Sequence, residues 1–594
     1  MPEKYSDVLA DWLVELGYTH CFFVAGGNIM HLLDSCRQRF ACVATVHEVA
    51  AGIAAEYFNA VEGAGRAFAL VTAGPGLTNI VTALGGAWLE SRELLVLGGQ
   101  VKSSDLARGE VRQRGIQEVD GIAVASPLCV ATHRIEQPEP RDVVERLVRR
   151  GMTPRKGPVF LEVCLDAQGA PVERSDLQGT GPVAQPALPT ATDDEVAQVR
   201  TLLDTAERPV LLIGGGVSRE AATEALPHLH RRGIPTMTTW NGIDRIAADD
   251  PVYCGRPNTW GQRSANLLLA QADVILALGT RLGLQQTGFN WQEFAPVGKV
   301  VQVDVDPAEL AKGHPRVDLP IAADADDLLA RVLPDAAPAP PEWLAFCCEV
   351  RDLLPLAEDA NEHAPGFLDP FHFLLDLSER AGDEDVVIPC SSGGANFVFM
   401  ETFQQRAGQR IVSDKGSASM GYGLSGGIGA ALAFPHRRTL MIEGDGGFAQ
   451  NMQELGTAAV NRLNLKVILF ENNGYASIRM TQRNYFGGAW IGCDTSSGLG
   501  FPDWERLFAA FGIPLMTLSE GWQDDPRFTE LFDGDGPAGF LVPIDPEQTY
   551  FPKITSRMTA SGSMESNPLH RMSPDLPDDI AQRVTPHLGS LDAA

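Results

Sequence analysis

An aspartate and an asparagine follow two neighbouring strand-like runs, a spacing suited to holding a metal ion. Asp445 follows the run TLMIE within Gly444-Asp445-Gly446, and Asn473 follows the run KVILF. Between them AQNMQELGTAAVNRL has apolar residues at helical spacing, which predicts a β-α-β unit whose two loops open at one sheet edge. The carboxylate oxygens of Asp445 and the amide oxygen of Asn473 suit Mg²⁺, and the glycines beside Asp445 let backbone N–H groups approach phosphates. The alternative is an ordinary strand-turn-helix with incidental Asp and Asn.

This segment resembles the thiamine diphosphate (ThDP) motif of the acetolactate synthase, pyruvate oxidase and pyruvate decarboxylase superfamily. The resemblance implies that Asp445, Asn473 and the backbone carbonyl of Tyr475 bind Mg²⁺, and that Gly446 and Gly447 contact the cofactor. It also implies an α/β fold of three doubly wound parallel-sheet domains with a C-terminal tail.

A thiamine enzyme also needs a carboxyl group against the aminopyrimidine ring, where it shares a proton and promotes loss of the thiazolium C2 proton. Glu48 is the candidate, because VATVHEVAAGIAAEYF places it where a strand-like run ends and a helix begins. A carboxylate there is also a common partner of the helix dipole, so the motif leaves both roles open. The neighbouring His47, and less so His31, are candidates for proton movement, and both are equally suited to a structural role.

A second strand-turn-helix-strand unit, FALVTAGPGLTNIVTALGGAWLESRELLVLGGQV, follows Glu48 and resembles the GPG-x-TN loop and GGQV strand of the same family. The resemblance implies that Gly26, Pro75 and Asn79 contact ThDP. It also implies that Gln117, within RGIQEVD, lines the reaction pocket and hydrogen-bonds a developing alkoxide.

Two further segments complete the expected cofactor pocket. SSGGANF, residues 391–397, resembles the loop that holds the diphosphate from the opposite side. Four contacts are implied there, from Gly393, Gly394, Ala395 and Asn396. KGSASMGYG places Ala418 and Met420 in the loop where the family wedges a hydrophobic side chain between the two thiamine rings. Met420 would also suit an ordinary core position.

Several segments, among them RGIQEVDGIAVASP, KGSASMGYGLSGGIGAAL and SIRMTQRNYFGG, resemble acetolactate-synthase-like ThDP proteins associated with nucleotide-sugar biosynthesis. The resemblance implies a carboligase that decarboxylates a 2-oxo acid such as pyruvate and transfers the two-carbon unit to a ketosugar nucleotide or a small ketone. Acetolactate synthase proper is one alternative, which Gln482 disfavours because it aligns with the tryptophan of the second-substrate site in those enzymes. A ThDP-dependent decarboxylase, oxidase or C–C hydrolase is another. A non-catalytic scaffold subunit is the last, and intact Glu48, Asp445 and Asn473 disfavour it.

The segment after the metal motif predicts where the acceptor binds. ASIRMTQRNYF reads as a helix on which Arg479 and Arg483 lie one turn apart on the same face, with Gln482 beside them. A guanidinium binds phosphate or carboxylate bidentately, so these residues are expected to hold the acceptor. A solvated or ion-paired face is the alternative.

The length of the chain and its proline-rich stretches predict the domain organisation. A chain of 594 residues suggests roughly three domains, and Pro-rich stretches at 166–194 and 334–343 predict linkers. The expected parts are an N-terminal pyrimidine-binding domain (1–170), a central Rossmann-like domain (195–333), a diphosphate- and Mg-binding domain (365–545) and a tail (546–594). The tail has little helical or strand periodicity, so disorder is one alternative, while tails of this family tend to fold over the active site, which is the favoured expectation.

The central domain is a candidate FAD site. PVLLIGGGVS runs from a strand into Gly214, and VVQVDVDPAEL places Asp304 after another strand, as in dinucleotide-binding domains, although no complete G-x-G-x-x-G is present. In the resembled synthases this domain holds FAD, and Gly214, Gly279, Arg281 and Asp304 match positions there. Residues 258–261 and 283–285 depart from the pattern, so bound FAD and an empty structural domain both stay open.

Composition and charge limit the partners. With 47 Lys+Arg against 76 Asp+Glu the formal charge is −29, which argues against nucleic acid as a partner. No apolar run approaches about 18 residues and the start lacks a signal-peptide pattern, so no membrane partner and a cytoplasmic location are expected. Because the family places residues like Glu48 and Asp445 on different subunits, the resemblance implies a homodimer with active sites at its interface, and a homotetramer as the next level.

Overall fold

Three all-parallel sheets flanked by helices form this computed structural model, which confirms the predicted α/β class. The structure describes residues 3–153, 155–179, 181, 183–184, 187–390, 392–558, 562 and 564–588. The chain forms two compact units, Met1–Pro186 with Glu384–Gly393 and Arg410–Pro543, and Ala187–Asp383 with Gly394–Gln409 and Ile544–Ala594. The first and third sheets belong to the first unit and the second sheet to the other.

The N-terminal region builds the first sheet. Its strands are β1 (Glu3–Lys4), β2 (Tyr18–Phe23), β3 (Ala41–Ala44), β4 (Arg66–Val71), β5 (Leu94–Gln100), β6 (Ala131–Ile135), β7 (Pro158–Cys164) and β8 (Pro171–Val172). Its helices are α1 (Tyr5–Glu15), α2 (Met30–Cys36), α3 (Glu48–Ala60), α4 (Pro75–Glu90), α5 (Gly121–Ala125), α6 (Arg141–Met152) and α7 (Leu165–Gly169). Six strands lie in the order β3-β2-β4-β5-β7-β6. The strand order reverses between β2 and β4, and open α/β sheets bind ligands at such a switch point.

The first predicted linker begins later than expected. Within 166–194, the structure has α7 and the strand β8, which pairs antiparallel with β1. The Pro-rich composition permits this pairing, since proline is tolerated on edge strands. Residues up to Val172 therefore belong to the N-terminal fold.

The central region builds the second sheet. Its strands are β9 (Pro209–Ile213), β10 (Thr236–Thr238), β11 (Val274–Leu278), β12 (Lys299–Asp304) and β13 (Leu319–Ala322). Its helices are α8 (Asp193–Thr205), α9 (Arg219–Arg232), α10 (Arg263–Gln271), α11 (Leu284–Thr287), α12 (Pro307–Ala311), α13 (Ala325–Val332) and α14 (Pro341–Leu353). The order β10-β9-β11-β12-β13 puts the switch point between β9 and β11. α14 starts inside the predicted linker 334–343.

The third sheet repeats the strand order of the first. Its strands are β14 (Val386–Pro389), β15 (Arg410–Ile411), β16 (Thr439–Gly444), β17 (Leu465–Glu471), β18 (Leu515–Thr517) and β19 (Ala538–Pro543). The helices of this region are α15 (Pro370–Arg380), α16 (Gly394–Thr402), α17 (Tyr422–Ala433), α18 (Asp445–Phe448), α19 (Leu455–Val460), α20 (Ala476–Phe486), α21 (Trp504–Ala510) and α22 (Pro526–Asp533). The order β15-β14-β16-β17-β19-β18 places the switch point between β14 and β16.

The helix predicted between the two metal-loop strands is broken into pieces. α18 and α19 are separated by a 3₁₀ turn at Met452–Glu454. The periodicity of AQNMQELGTAAVNRL predicts one continuous helix, but the buried Glu454 carboxylate at the turn serves a contact with a distant loop. Tertiary contact here outweighs local propensity.

Glycines let α3 and α17 approach each other closely within the first unit. A Cβ on Gly429 would clash with the carbonyl of Ala54, and one on Gly426 would lie 2.7 Å from the Tyr57 ring. The distance between two packed helices depends on the side chains at their contact, and here almost none intervene. This crossing joins the regions of the first and third sheets.

The remaining elements are short. The C-terminal segment has β20 (Lys553–Ile554), β21 (Ser556–Met558), β22 (Met564–Ser566), β23 (Met572–Ser573) and α23 (Asp578–Val584). Residues 559–561, 563 and 589–594 of the predicted tail lie outside the described residues. Among the helices described, none has both the length and the apolar character needed to cross a membrane.

Candidate functional site

The loops after β16 and β17 come together on Asp445. This residue begins α18 and is 1 % exposed. Its Oδ1 accepts the Gly446 N–H at 2.7 Å, while its Oδ2 accepts the N–H groups of Asn472 and Gly474 at 3.2 and 3.0 Å. Asp445 thereby fixes the turn that carries Asn473.

The surroundings of Asp445 fit a group that binds a cation. Burial raises the pKa of its carboxyl to about 7, against the opposing effect of three N–H donors. A buried carboxylate without a counter-charge is costly, and a divalent ion would supply that charge. Among the described residues no three His, Cys, Asp or Glu side chains form a metal cluster, but the expected ligand set has only one acidic side chain and needs none.

The other expected metal ligands lie on the same turn. Asn473 has φ 60°, a left-handed conformation that asparagine tolerates, and its Oδ1 accepts from the Thr495 hydroxyl at 3.2 Å. The side chain of Tyr475 lies over Gly446, where any Cβ would clash with the ring. The Oδ1 of Asn472 is buried and has no hydrogen-bond partner within the part of the chain described. It is a further oxygen that the motif reading does not include.

Glu48 lies at the start of α3 and is paired with Asn79. Its side chain is 7 % exposed, and its Oε2 accepts from the Asn79 Nδ2 at 2.9 Å. Asn79 is on α4, whose first residue is Pro75. The structure thus brings Glu48 and the GPG-x-TN helix together, with the carboxyl group largely removed from water.

The loop that carries Gln117 closes on the turn before α4. Gly74 has φ 64°, and a Cβ there would clash with the Gln117 carbonyl. The carboxylate of Glu118 accepts three backbone N–H groups of this loop, which hold its pKa below the usual range although burial opposes ionisation. At the switch point between β2 and β4, Gly26 lies against Thr72, where a Cβ would clash. Gly26 and Gln117 both lie next to the loop after β4.

The Met420 loop is held by the end of α4. The carboxylate of Glu90 accepts the Lys415 N–H at 2.7 Å and also the N–H of the next residue. The guanidinium of Arg92 donates to the Ser413 carbonyl at 2.5 Å. Within this loop Ala418 has φ 49°, and Met420 is half-buried. The position of Met420 therefore depends on two charged side chains of the N-terminal region.

Further buried ionisable side chains surround Glu90 and Arg92, the two residues that hold the Met420 loop. Arg92 donates to Glu56 at 3.0 Å and has Glu90 within 3.9 Å. Burial raises the pKa of Glu56 to about 8, and burial together with Glu90 raises the pKa of Asp414 to about 7. One guanidinium thus faces three carboxyl groups, and removing the charged partner of such a group is costly.

Comparison with known proteins decides the family. Three family models match the chain in order: "Thiamine pyrophosphate enzyme, N-terminal TPP binding domain" over residues 3–124, "central domain" over 196–332, and "C-terminal TPP binding domain" over 391–540. The chain belongs to the thiamine pyrophosphate enzyme family. ThDP is accordingly its cofactor, as the sequence predicts.

Curated relatives of this thiamine pyrophosphate enzyme match it over almost its full length. It is 27 % identical to the acetolactate synthase isozyme 1 large subunit of Escherichia coli, covering 92 % of this chain and 95 % of that one. It is 27 % identical to a probable acetolactate synthase large subunit of Methanocaldococcus jannaschii, at 92 % of each chain. The Corynebacterium glutamicum acetolactate synthase large subunit is 29 % identical, over 86 % of this chain and 81 % of that one. The enzyme is therefore of the acetolactate-synthase-like type, while its nucleotide-sugar subgroup remains a prediction.

In this thiamine pyrophosphate enzyme, Arg479 is placed differently from the acceptor-site prediction. Helix α20 forms as expected, but Arg479 is 3 % exposed and its guanidinium donates to the carbonyls of Asn472 and Asn473 at 2.6 and 2.9 Å. Arg483, one turn later, is exposed. Two residues on the same face of a helix can be buried to different extents. Here the first turn of α20 packs under the metal loop and buries Arg479, while Arg483 stays exposed. Arg479 therefore braces that loop, while Arg483 lies at the surface.

Gln482 braces a second loop. Its Oε1 accepts the Ile491 N–H at 3.0 Å, and its Nε2 donates to the Ile491 carbonyl at 3.3 Å. This amide pair closes the segment after α20 on the helix. The same part of the chain exposes the apolar side chains of Tyr485, Phe486 and Ile491.

The residues of the predicted diphosphate loop are divided along the chain between a segment of the first unit and a helix of the second. Gly393 has φ 81° and ends a segment of the first unit, while Gly394 begins α16 in the second. Ala395 and Asn396 follow on α16 and are buried. Ser391, also part of this motif, lies outside the described residues.

Two backbone N–H groups of the glycine turn in the central domain are hydrogen-bonded within the protein. The Gly214 N–H donates to the Leu278 carbonyl at 2.8 Å, and the Gly216 N–H donates to the Gly279 carbonyl at 2.9 Å. A Cβ on Gly214 or Gly279 would clash with the other loop, so their close approach explains these glycines without a ligand. Two N–H groups of the turn are thus used, and no chemical step is assigned to FAD.

The other two residues of the predicted FAD site have partners of their own. The carbonyl of Arg281 accepts from the Lys312 ammonium, and the Asp304 Oδ1 accepts the Asp306 N–H at 2.9 Å. Trp260, in the stretch that departs from the synthase pattern, stacks on Phe397 with ring centroids 4.8 Å apart. These contacts favour a structural role for these residues of the central domain over a role in binding FAD.

The candidate histidines differ in placement. His47 is half-buried directly before Glu48, and its backbone N–H donates to the Glu454 Oε1 at 3.1 Å. His31 is on α2, and its ring faces Gly169 of α7, where an added Cβ would lie 3.0 Å from Nε2. His31 therefore packs between helices, while His47 stays near the predicted chemistry.

Sequence reasoning missed the side chains that hold the predicted site together. Glu118, Glu90, Arg92 and Glu454 each fix a loop that carries a predicted site residue. Their partners are backbone groups, which have no sequence signature. Their only local signal is a charged residue at a position that the neighbouring apolar residues predict to be buried.

Proposed function

We propose that this protein is a ThDP- and Mg²⁺-dependent carboligase. It decarboxylates pyruvate or a related 2-oxo acid and transfers the two-carbon unit to a carbonyl acceptor. The observation that carries the proposal is the pair of buried carboxyl groups at two sheet edges. Glu48 is oriented by Asn79, and Asp445 is held by the loops after β16 and β17.

The residues around Asp445 would hold the metal and the diphosphate. Asp445, Asn473 and the carbonyl of Tyr475 supply one carboxylate and two neutral oxygens, a set suited to Mg²⁺ that leaves room for phosphate oxygens and water. Gly446 and Gly447 keep this loop free of side chains. Arg479 keeps the turn at Asn473 in place from below.

Glu48 would act at the other end of the cofactor. ThDP, when bound, supplies the electron sink for decarboxylation and carbon–carbon bond formation. Glu48 holds the proton shared with the aminopyrimidine nitrogen, and Asn79 fixes the direction of its carboxyl group. A positioned proton-transfer group of this kind contributes about 10²–10⁴-fold to rate.

The remaining predicted residues shape the reacting end. Gln117 would donate to the oxygen that becomes negatively charged on the substrate, with His47 near enough to assist proton movement. Met420 would pack against the cofactor, and Gly26 and Pro75 would line its ring pocket. This assignment rests on where their loops lie and on the family motif.

A homodimer would complete the active site. Exposed apolar side chains stand directly beside the predicted catalytic residues, with Val46 60 % and Ile116 84 % exposed. Large apolar side chains clustered at a surface commonly mark an interface. We therefore place a second copy of the chain over Glu48 and Gln117, and a homotetramer is the next level of assembly.

The acceptor is proposed to be a ketosugar nucleotide or a small ketone. The bracing of the segment after α20 by Gln482 supports an acceptor side that differs from acetolactate synthase, since the motif places a tryptophan there in those enzymes. Acetolactate synthase is the second candidate, because the similar curated proteins carry that name. In that case a second pyruvate is the acceptor.

Product analysis separates these two functions. Purified protein with ThDP and Mg²⁺ is given pyruvate alone, and pyruvate with a panel of ketones and nucleotide-linked ketosugars. Mass spectrometry should find an acceptor enlarged by the two-carbon unit, and the Glu48→Gln variant should not form it. Acetolactate from pyruvate alone, with no acceptor adduct, would favour the second candidate. Release of acetaldehyde, acetate or a cleaved diketone would point instead to a decarboxylase, an oxidase or a C–C hydrolase.

A further inference from the structure

A buried glutamate of the third-sheet region reaches the segment directly before Glu48. Glu454 is fully buried in the 3₁₀ turn after α18. Its Oε1 accepts the N–H groups of Val46 and His47, both at 3.1 Å. Its Oε2 lies 3.3 Å from the Val46 N–H and accepts from the Thr457 hydroxyl at 2.7 Å. Both carboxylate oxygens therefore have hydrogen-bond partners. The partners of Oε1 are the N–H groups of Val46 and His47, and the main partner of Oε2 is Thr457 in α19.

The start of α3 needs such a partner. His47 is the N-cap residue, and its side chain makes no capping hydrogen bond. Helix N-termini leave backbone N–H groups unpaired, and these favour a negative charge. Glu454 supplies an acceptor oxygen from outside the helix for the N–H of this cap residue and of the residue before it.

The geometry points to Glu454 as a positioning residue for the carboxyl group of Glu48. This inference rests on the proposed function, in which Glu48 handles the proton of the cofactor. Val46 and His47 are the two residues before Glu48, so a shift of their backbone moves the Glu48 carboxyl group away from Asn79. Displacement by about 1 Å at a reacting group can cost about 10²-fold in rate.

The stretch of chain from Asp445 to Glu454 connects three predicted parts of the active site. Glu454 follows Asp445 through α18 and the turn at Asn451, whose Nδ2 donates to the Gly421 carbonyl at 2.8 Å. One short stretch thus begins at the metal loop, touches the loop of Met420 and ends on the segment before Glu48. Its last contact is the one that the known motif does not contain.

Two variants of Glu454 test the hydrogen bonds apart from the charge. Glu454→Gln keeps an acceptor oxygen for Val46 and His47, and its amide N–H can donate to the Thr457 hydroxyl. Glu454→Ala removes both. With saturating ThDP and Mg²⁺, exchange of the thiazolium C2 proton with D₂O should slow about 10- to 100-fold in the alanine variant. It should stay near the wild-type rate in the glutamine variant, and the pyruvate KM should change little in both.

A matched control is available in the same unit. The Glu93 side chain accepts from the Tyr18 hydroxyl at 3.1 Å and from the Arg66 Nε at 3.2 Å. Its backbone carbonyl accepts from Asn59, which lies at the opposite end of α3 from Glu48. Glu93→Ala should lower the thermal midpoint and leave C2 exchange unchanged. A slowing equal to that of Glu454→Ala would mean that general destabilisation, and not positioning, explains the effect.

The outcomes separate this inference from the function itself. Wild-type exchange in Glu454→Ala would overturn it, and so would a glutamine variant as slow as the alanine variant, because charge would then matter and hydrogen-bond geometry would not. If Glu454→Ala fails to fold, Thr457→Val loosens the same carboxylate, and an unchanged exchange rate there would also overturn the inference. Wild-type exchange in Glu48→Gln would instead refute the proposed role of Glu48.

Discussion

Replacing Arg479 distinguishes a loop brace from an acceptor ligand. In Arg479→Ala the carbonyls of Asn472 and Asn473 lose the guanidinium that donates to them at 2.6 and 2.9 Å. The turn that places Asn473 and Tyr475 then has less to hold it. Retention of Mg²⁺ and ThDP should fall, while the acceptor KM at saturating cofactor should change little.

The size of the effect follows from the two hydrogen bonds. A hydrogen bond to a charged group contributes about 1.5–3 kcal/mol, so the pair contributes about 3–6 kcal/mol. Part of this loss falls on the unfolding free energy and part on the order of the loop. If about 1.4–2.8 kcal/mol falls on the loop, the apparent ThDP affinity drops about 10- to 100-fold.

Calorimetric titration of the apoprotein with ThDP at fixed Mg²⁺ measures this directly. Arg483→Ala is the matched control, because Arg483 lies one turn further on α20 and is exposed. It should leave ThDP affinity intact. Arg479→Lys should fall between, since an ammonium cannot match the two-carbonyl geometry of the guanidinium. Unchanged ThDP affinity in Arg479→Ala, with a raised acceptor KM, would refute the reasoning and restore the acceptor-site reading.

Three further predictions concern the carboxyl groups. Glu48→Gln should fold and bind ThDP but slow C2 proton exchange at least about 10²-fold; near wild-type exchange would remove Glu48 from the mechanism. Asp445→Ala should abolish Mg²⁺-dependent ThDP retention, and unchanged affinity by calorimetry would contradict the metal assignment. Stability should fall as pH rises from about 4 to 8, because burial raises the folded-state pKa of Glu56 to about 8 and of Asp414 to about 7, from ordinary values of 4.5 and 3.8. In that window the folded state holds protons that the unfolded state has released, so each group contributes a slope of up to about −1.4 kcal/mol per pH unit until its folded pKa is passed. Denaturant unfolding at several pH values measures the slope, which Glu56→Gln should reduce; a flat or rising profile would argue against buried, protonated carboxyl groups.

The strands around the metal loop are predictable from local pattern. TLMIE and KVILF appear as β16 and β17, adjacent and parallel, because central parallel strands are buried on both faces and carry continuous apolar sequence. The helix expected over ASIRMTQRNYF appears as α20, and the structure shows that Gly487, in a left-handed conformation, ends it.

Depth and long-range contacts are not predictable in this way. The helix between β16 and β17 breaks where Glu454 contacts Val46, which is 408 positions away in the chain. The depth of Arg479 depends on carbonyls that any residue type would provide. The hydrogen bonds of Glu90 to the Met420 loop cannot be predicted from the sequence either, because its partners are backbone N–H groups. The positions of the predicted site residues come from motifs, and the side chains that hold them come only from tertiary structure.

The contact between α3 and α17 has a consequence for synthesis of the chain on the ribosome. The first unit is discontinuous, since Met1–Pro186 is completed by segments that begin at Glu384 and Arg410. The face of α3 that receives α17 is therefore translated long before its cover. At about 5–20 residues per second, the 408 positions between Val46 and Glu454 take roughly 20–80 s. Throughout that interval the nascent N-terminal region displays an apolar helix face, and it reaches its final form only once the third sheet has emerged.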